Sequence, residues 1–156
     1  MEIKEILEAY KEGRLSLEET ENYFKREPFE EMDYAKLDMH RKIRSGFPEV
    51  IYCSGKADEH LVQIAKRLYE ADGCVFGTRA SEHQYEVVRK VIPDITYDPI
   101  SHILKALPED REKPIGKIAV CTAGTADIPV AEEAAQTAEY FGRKVERIFD
   151  VGVSGL

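Results

Sequence analysis

Hydrophobic positions in this chain follow two rhythms, one helical and one strand-like. Ile3, Ile6, Leu7 and Tyr10 fall at i, i+3, i+4 and i+7, which predicts an amphipathic helix over residues 2–12 ending near Gly13. Ser16-Leu17-Glu18-Glu19 has the spacing of a capping box and opens a second short helix through Thr20, Tyr23 and Phe24. The two make a helical hairpin whose apolar face is too small to hold it folded alone, so it must dock on the rest of the chain or on another subunit. A charged, extended connector follows, REPFEEMDYAKLD, broken at Pro28. Leu37–Gly46 (LDMHRKIRSG) returns to a helical tendency and gathers His40, Arg41 and Arg44. That segment is either a cationic ligand patch or, more simply, a solvated basic helix end.

From Phe47 the rhythm alternates. FPEVIYCS is strand-like, Gly55-Lys56 turns, and Asp58 can cap a helix whose buried stripe is Leu61, Ile64, Ala65 and Leu68, stopped by Gly73. Cys74–Gly77 is a short strand ending in Thr78-Arg79-Ala80. Ser81-Glu82-His83-Gln84 is a second capping box, starting a helix through Tyr85, Val88 and Ile92 to Pro93. Ile95–Tyr97 and Ile100–Leu107 are further strand candidates. Strands alternating with helices predict βαβ units and a mainly parallel sheet, an α/β fold. Ligands collect at the carboxyl ends of such strands. Three of these ends carry polar groups here: Ser54-Gly55-Lys56, Thr78-Arg79 and Thr122–Asp127. His60, His83 and His102 read as surface or edge residues.

The third of those ends is the most developed. After a polar stretch bounded by two prolines, Leu107–Gly116, comes IAVCTAGTADIPVAEEAAQTAEYFG, Ile118–Gly142. It predicts a strand suited to burial on both faces, a small-residue turn, and a helix capped by Asp127, with Pro129 in the first turn and Gly142 as the stop. The turn Gly124-Thr125-Ala126-Asp127 points unpaired amides and a positive dipole end at whatever occupies it, a natural anion site. Most βα turns bind nothing, so a plain structural turn is the simpler reading of these residues alone. A second strand, Val145–Phe149, ends in the glycine-containing loop DVGVSGL. Four segments are therefore expected: a helical hairpin and connector at 1–36, a small parallel α/β domain at 37–107, a linker at 108–116, and an incomplete domain from 117. Two strands and one helix cannot cover both faces of a parallel sheet, so the front part of a longer protein is expected.

Composition narrows the chemistry. The chain has 156 residues, 43% of them hydrophobic and 33% charged, with a net charge of −8. That acidity disfavours nucleic acid and anionic membranes as partners while leaving room for one phosphorylated ligand. No apolar run is long enough to span a membrane and the N-terminus lacks a signal-peptide core, so a cytoplasmic location is expected. The three cysteines, Cys53, Cys74 and Cys121, lie in or beside apolar runs without metal-ligand spacing and read as reduced core thiols. No metal site is predicted.

HRKIRSGFPEVIYCSGK, the TRAS at Thr78–Ser81, and TAGTADIPVAEEAAQTAEYFG…VERIFDVGVSGL together resemble the synthases of pyridinium-3,5-biscarboxylic acid mononucleotide, which act in nickel-pincer cofactor (lactate racemase) maturation. These are related to the aminoimidazole ribonucleotide carboxylases and mutases. The resemblance implies an N-terminal α/β region followed by a flavodoxin-like, carboxylase-type domain, of which residues 117–156 are the first βαβ unit. It implies carboxylation of nicotinic acid adenine dinucleotide by CO2 at C5 of the pyridinium ring, with hydrolysis releasing AMP, in a homo-oligomer. By the same resemblance the turn Gly124, Thr125, Ala126 and Asp127 touches ribose and phosphate, although Ala126 stands where the pattern usually has serine. His40, Arg41 and Arg79 are additional substrate-binding candidates. No cofactor is firmly implied; magnesium is the one ion left open. The family's ring-attacking cysteine follows VGVSGL, so no catalytic residue is assigned among these 156, and the chain by itself is expected to be inactive. The alternative is a nucleotide-binding or oligomer-assembly module without chemistry of its own. A phosphoreceiver domain fits poorly, because the first strand end lacks clustered acidic residues.

Overall fold

Loop length decides the direction of each strand in this protein. A computed structural model describes residues 3–25, 29–32, 35–38, 47–107 and 113–152; for residues 25, 29–32 and 35–38 it gives the backbone alone. The chain forms two compact units, Met1–Glu49 and Val50–Leu156.

In the first unit, helix α1 (Ile3–Lys11) buries Ile6 and Ala9. Helix α2 (Leu17–Lys25) opens on the expected capping box: the Ser16 amide donates to the Glu19 carboxylate at 2.7 Å, and the Glu19 amide donates to Ser16 Oγ at 3.1 Å. The backbone and side-chain bonds from Ser16 hold the Glu19 carboxyl below its usual range. The segment expected to be a plain connector instead contributes two strands, β1 (Phe29–Met32) and β2 (Ala35–Asp38), paired antiparallel from Phe29↔Asp38 to Met32↔Ala35. Leu37 and Asp38, expected to begin a helix, belong to β2. His40, Arg41 and Arg44 lie outside the described residues.

The second unit carries β3 (Ile51–Tyr52), α3 (Asp58–Asp72), β4 (Val75–Thr78), α4 (Glu82–Arg89), β5 (Thr96–Asp98), β6 (Ile103–Ala106), β7 (Ile115–Cys121), α5 (Ile128–Tyr140) and β8 (Arg143–Ile148). The α/β class is as expected, but the first sheet is mixed rather than parallel. Its order is β3-β4-β6-β5, with β3 parallel to β4 and both later pairs antiparallel. A parallel crossover needs a dozen or more residues, whereas only Pro99–His102 separate β5 from β6. Asp98 folds that short loop by accepting from the Ile100 and Ser101 amides at 3.3 and 3.1 Å.

Local signals set the helix ends, with two exceptions. Gly73 (φ +66°) and Gly142 (φ +76°) take the left-handed conformation that ends a helix. Ser81 and Gln84 form the full capping box of α4, and Gln84 Nε2 reaches on to the Cys53 and Lys56 carbonyls at 2.9 and 3.3 Å. Asp58 does not cap α3; its carboxylate binds His83 Nε2 at 2.7 Å, tying the starts of α3 and α4 together. Asp127 does not cap α5 either, because a 3₁₀ turn at Thr125–Asp127 leads into that helix.

Val75, Leu104 and Ala106 are buried on one face of the mixed sheet, with α3 and α4 packed on that side. On the other face Phe76 stacks on Tyr140 of α5, with ring centroids 4.4 Å apart, and Ile103 completes the cluster. β7 and β8 form a separate parallel pair flanking α5. Arg147 of β8 makes bidentate bonds to both Glu132 and Glu139, one helical face apart by seven residues. Those bonds raise the Arg147 pKa and, with burial opposing them, depress that of Glu139. β7 is not buried on both faces as its composition predicts: Ile115 is 66% and Ile118 40% exposed. With one neighbouring strand and one helix, the described fold supplies β7 no second cover. No described helix is long and apolar enough to cross a membrane.

Candidate functional site

Thr122 is the residue from which the turn is built. It is buried just past β7, where its amide donates to the Ile148 carbonyl (3.1 Å). Its own carbonyl accepts from the Val151 amide (3.0 Å), and its Oγ1 accepts from the Asp150 amide (3.1 Å). One side chain therefore laces the loop after β7 to the loop after β8. Asp150 takes the left-handed conformation at φ +60°, and Gly152 packs so closely that a Cβ there would overlap the Ala123 carbonyl oxygen. Gly152→Ala should force the loop away from Ala123 and break the Val151–Thr122 bond, costing about 1–3 kcal/mol. Amide exchange at Val151 checks this: protection equal to that of the parent protein would contradict the close approach.

Beyond Ala123 the backbone is extended at Gly124 (φ −139°, ψ 167°) and then coils through Thr125–Asp127, with the Asp127 amide donating to the Gly124 carbonyl at 3.3 Å. Thr125, Ala126 and Asp127 are exposed, and Gly124 is half-buried. The turn thus offers the N-terminal amides of α5, a threonine hydroxyl and a carboxylate that does not cap the helix. Amides and helix dipole favour an anion, whereas the carboxylate repels one and favours hydroxyl donors. A sugar phosphate, with phosphate on the amides and a ribose hydroxyl on Asp127, satisfies both.

Of the more distant candidates, Arg79 comes to the same end of the unit as this turn. α5 runs antiparallel to β4. Near its C-terminus, Tyr140 stacks on Phe76 and its hydroxyl meets Cys74 Sγ at 3.4 Å, just before β4. In its N-terminal half, Glu133 meets Arg79, just after β4, at 2.9 Å. Asp127 lies six residues before Glu133, roughly 9 Å along the helix axis. Ser54-Gly55-Lys56 follows β3, which runs parallel to β4, with the Cys53 amide donating to the Thr78 carbonyl at 2.9 Å, so all three polar strand ends share one end of the fold. The Arg79–Glu133 pair, and the lacing role of Thr122, Asp150 and Gly152, had no local signal beyond the glycines of DVGVSGL.

Of the three cysteines expected as core thiols, Cys53 is buried, Cys74 half-buried and Cys121 exposed, and Cys53 is a poor nucleophile. Burial pushes Cys53 up to about 12, with Lys56 opposing weakly. Among the described residues no three His, Cys, Asp or Glu side chains group as metal ligands. A shallow hollow lined by Lys117, Lys144, Val145 and Glu146 lies toward the amino ends of β7 and β8, at the far end from the turn.

Residues 29–108, just over half of the chain, match the family model for the LarB/PurE-like N-terminal domain. The chain belongs to that family. A similar protein is an uncharacterized one from Methanocaldococcus jannaschii, 35% identical over 161 residues. The match takes in 99% of this chain and 63% of the relative, so the chain spans less than two thirds of that protein's length. The LarB/PurE-like match runs from β1 to just past β6 and includes Arg79; the Gly124–Asp127 turn follows it. Membership in the LarB/PurE-like family links the chain to carboxylase-type enzymes and agrees with its mixed α/β fold.

Proposed function

We propose that this chain is part of an enzyme that carboxylates the pyridinium ring of nicotinic acid adenine dinucleotide at C5 and hydrolyses its phosphoanhydride, giving pyridinium-3,5-biscarboxylic acid mononucleotide and AMP. The observation that carries the reading is the exposed turn Gly124–Asp127, whose paired anion and hydroxyl preferences suit a ribose phosphate. The chemistry asks for a temporary nucleophile. A thiolate adding its electron pair to the cationic ring makes a neutral enamine, C5 attacks CO2, and loss of the C5 proton with expulsion of the thiolate restores the aromatic ring. The thiolate is assigned to none of Cys53, Cys74 or Cys121. The same proposal includes a homo-oligomer, an α/β domain at 37–107 and the start of a carboxylase-like domain at 117–156.

The test is titration of nicotinic acid adenine dinucleotide into the parent chain, Asp127→Ala and Thr125→Val. Each lost hydrogen bond to the ligand should weaken binding roughly five- to tenfold, by about 1–1.5 kcal/mol. Affinity unchanged by both substitutions would remove the turn from the site. A second reading, an assembly module without chemistry, is favoured by the exposed Ile115 and Ile118 of β7. It predicts self-association with no response to the dinucleotide.

A further inference from the structure

Among the described residues, the sheet face beneath α5 is left uncovered at the end where Arg79 emerges. Tyr52 and Thr78 are register partners in the parallel pair β3–β4, so their side chains share a face. Thr78 is two residues from Phe76, which puts both on the face that α5 covers. The helix shields Phe76 completely but leaves Tyr52 61% exposed and Thr78 half-buried. Arg79 follows directly at φ +55°, in the left-handed region that a side chain with a Cβ rarely adopts. It is held there between the β4 pairing and the Ala80 amide, which donates to the His102 carbonyl at 2.8 Å. The bend brings the half-exposed guanidinium to Glu133 on α5. An open aromatic face, a hydroxyl and a cation with donors to spare thus sit side by side in a protein of net charge −8.

That set fits a flat base joined to a phosphate. We propose that Tyr52, Thr78 and Arg79 form a subsite for the adenylate half of the dinucleotide, a step that rests on the function proposed above. The adenine stacks on Tyr52, and the 5′-phosphate is taken by the Arg79 fork and Thr78 Oγ1. Glu133 is the resident counter-ion that the phosphate displaces. The subsite lies at the same end of the fold as the Gly124–Asp127 turn, as a ligand with two nucleotide halves requires. AMP, the released product, should therefore bind here without the turn.

AMP and adenosine are titrated into the full chain, with affinity followed calorimetrically and the Tyr52 resonances by NMR. For AMP, Tyr52→Ala and Arg79→Met should each weaken binding roughly tenfold or more, while Tyr52→Phe retains it. Glu133→Gln should tighten AMP binding, because it releases Arg79. Adenosine should respond to Tyr52→Ala but not to Arg79→Met or Glu133→Gln. Millimolar AMP leaving Tyr52 unperturbed, or an AMP affinity indifferent to Tyr52→Ala, overturns the subsite. Asp127→Ala separates the two proposals, since it should weaken the dinucleotide and leave AMP unaffected. If AMP fails while the dinucleotide still needs Asp127, the subsite falls and the turn stands. If AMP needs Tyr52 while the dinucleotide ignores Asp127, the subsite stands and the turn falls.

Discussion

Phe76→Ala is expected to destabilise the unit of residues 50–156 by about 3–5 kcal/mol. Phe76 sits in the middle of β4 with no exposed surface, and its ring lies 4.4 Å from that of Tyr140 at an interplanar angle of 30°. Truncation removes the transfer energy of a phenyl group, leaves a cavity against Ile103, and takes away a stacked pair worth about another kcal/mol. Tyr140 cannot easily collapse into the gap, because its hydroxyl is tied to Cys74 and its ring already meets Phe141 edge-on. The same contact seats α5, so the turn at the start of that helix should lose order together with its C-terminal end. Urea unfolding gives the energy, and amide exchange along α5 gives the location. A loss below about 1 kcal/mol would mean that α5 is not docked on the mixed sheet through this pair. Tyr140→Phe is the control: it keeps the stack, loses the hydroxyl's contact with Cys74 Sγ and should cost under about 1 kcal/mol.

Features legible in the sequence were those whose cause lies within a few residues. Gly73 and Gly142 stop helices because they accept a positive φ, and the Ser16 and Ser81 boxes close within one turn. Asp58 and Asp127 show where such signals end. Each has the right chemistry for a cap, but Asp58 finds His83 twenty-five residues away, and a 3₁₀ turn takes over the position of Asp127. The antiparallel hairpin of β5 and β6 could have been read from its four-residue loop, since no crossover fits there. The misjudged burial of β7 has another origin. An apolar strand states what cover it needs, and the described residues supply one neighbour and one helix. As for the site, the switch-point rule picked out Thr78-Arg79 and Thr122–Asp127 as separate strand ends. Their meeting at one end of the fold depends on the antiparallel docking of α5, which contacts fifty or more residues apart in sequence determine.

Gln136→Leu should cost on the order of 2–3 kcal/mol at neutral pH, and that penalty should shrink in acid. Gln136 is buried at the contact between α5 and the β5–β6 hairpin. Its Oε1 accepts from Lys105 Nζ at 2.7 Å, and its Nε2 donates to Asp98 Oδ2 at 2.6 Å and Ser101 Oγ at 3.1 Å. Leucine keeps the bulk but takes a hydrogen-bond partner from the half-buried Lys105 ammonium and Asp98 carboxylate and from the buried Ser101 hydroxyl. The pH dependence follows from Asp98. Burial pushes its carboxyl up, yet the Ser101 hydroxyl and amide, the Ile100 amide and Gln136 together outweigh burial and hold it below the usual aspartate value. A carboxyl depressed on folding contributes stability above its unfolded pKa, about 4, and loses that contribution as pH falls through the folded value. Removing Gln136 deletes one of the depressing bonds, so the substituted protein has less of this contribution to lose. The gap between parent and variant should therefore be widest above about pH 5 and narrow steadily below pH 4. Asp98 Oδ2 lies 2.6 Å from Gln136 Nε2, against 3.5 Å for the nearest Glu132 oxygen, so Asp98 is the carboxylate that Gln136 engages directly and the one whose loss of charge the gap reports. Paired urea titrations from pH 7 to pH 2 decide the matter. A gap constant across that range would show that Gln136 stabilises by packing alone, with no coupling to the Asp98 carboxylate.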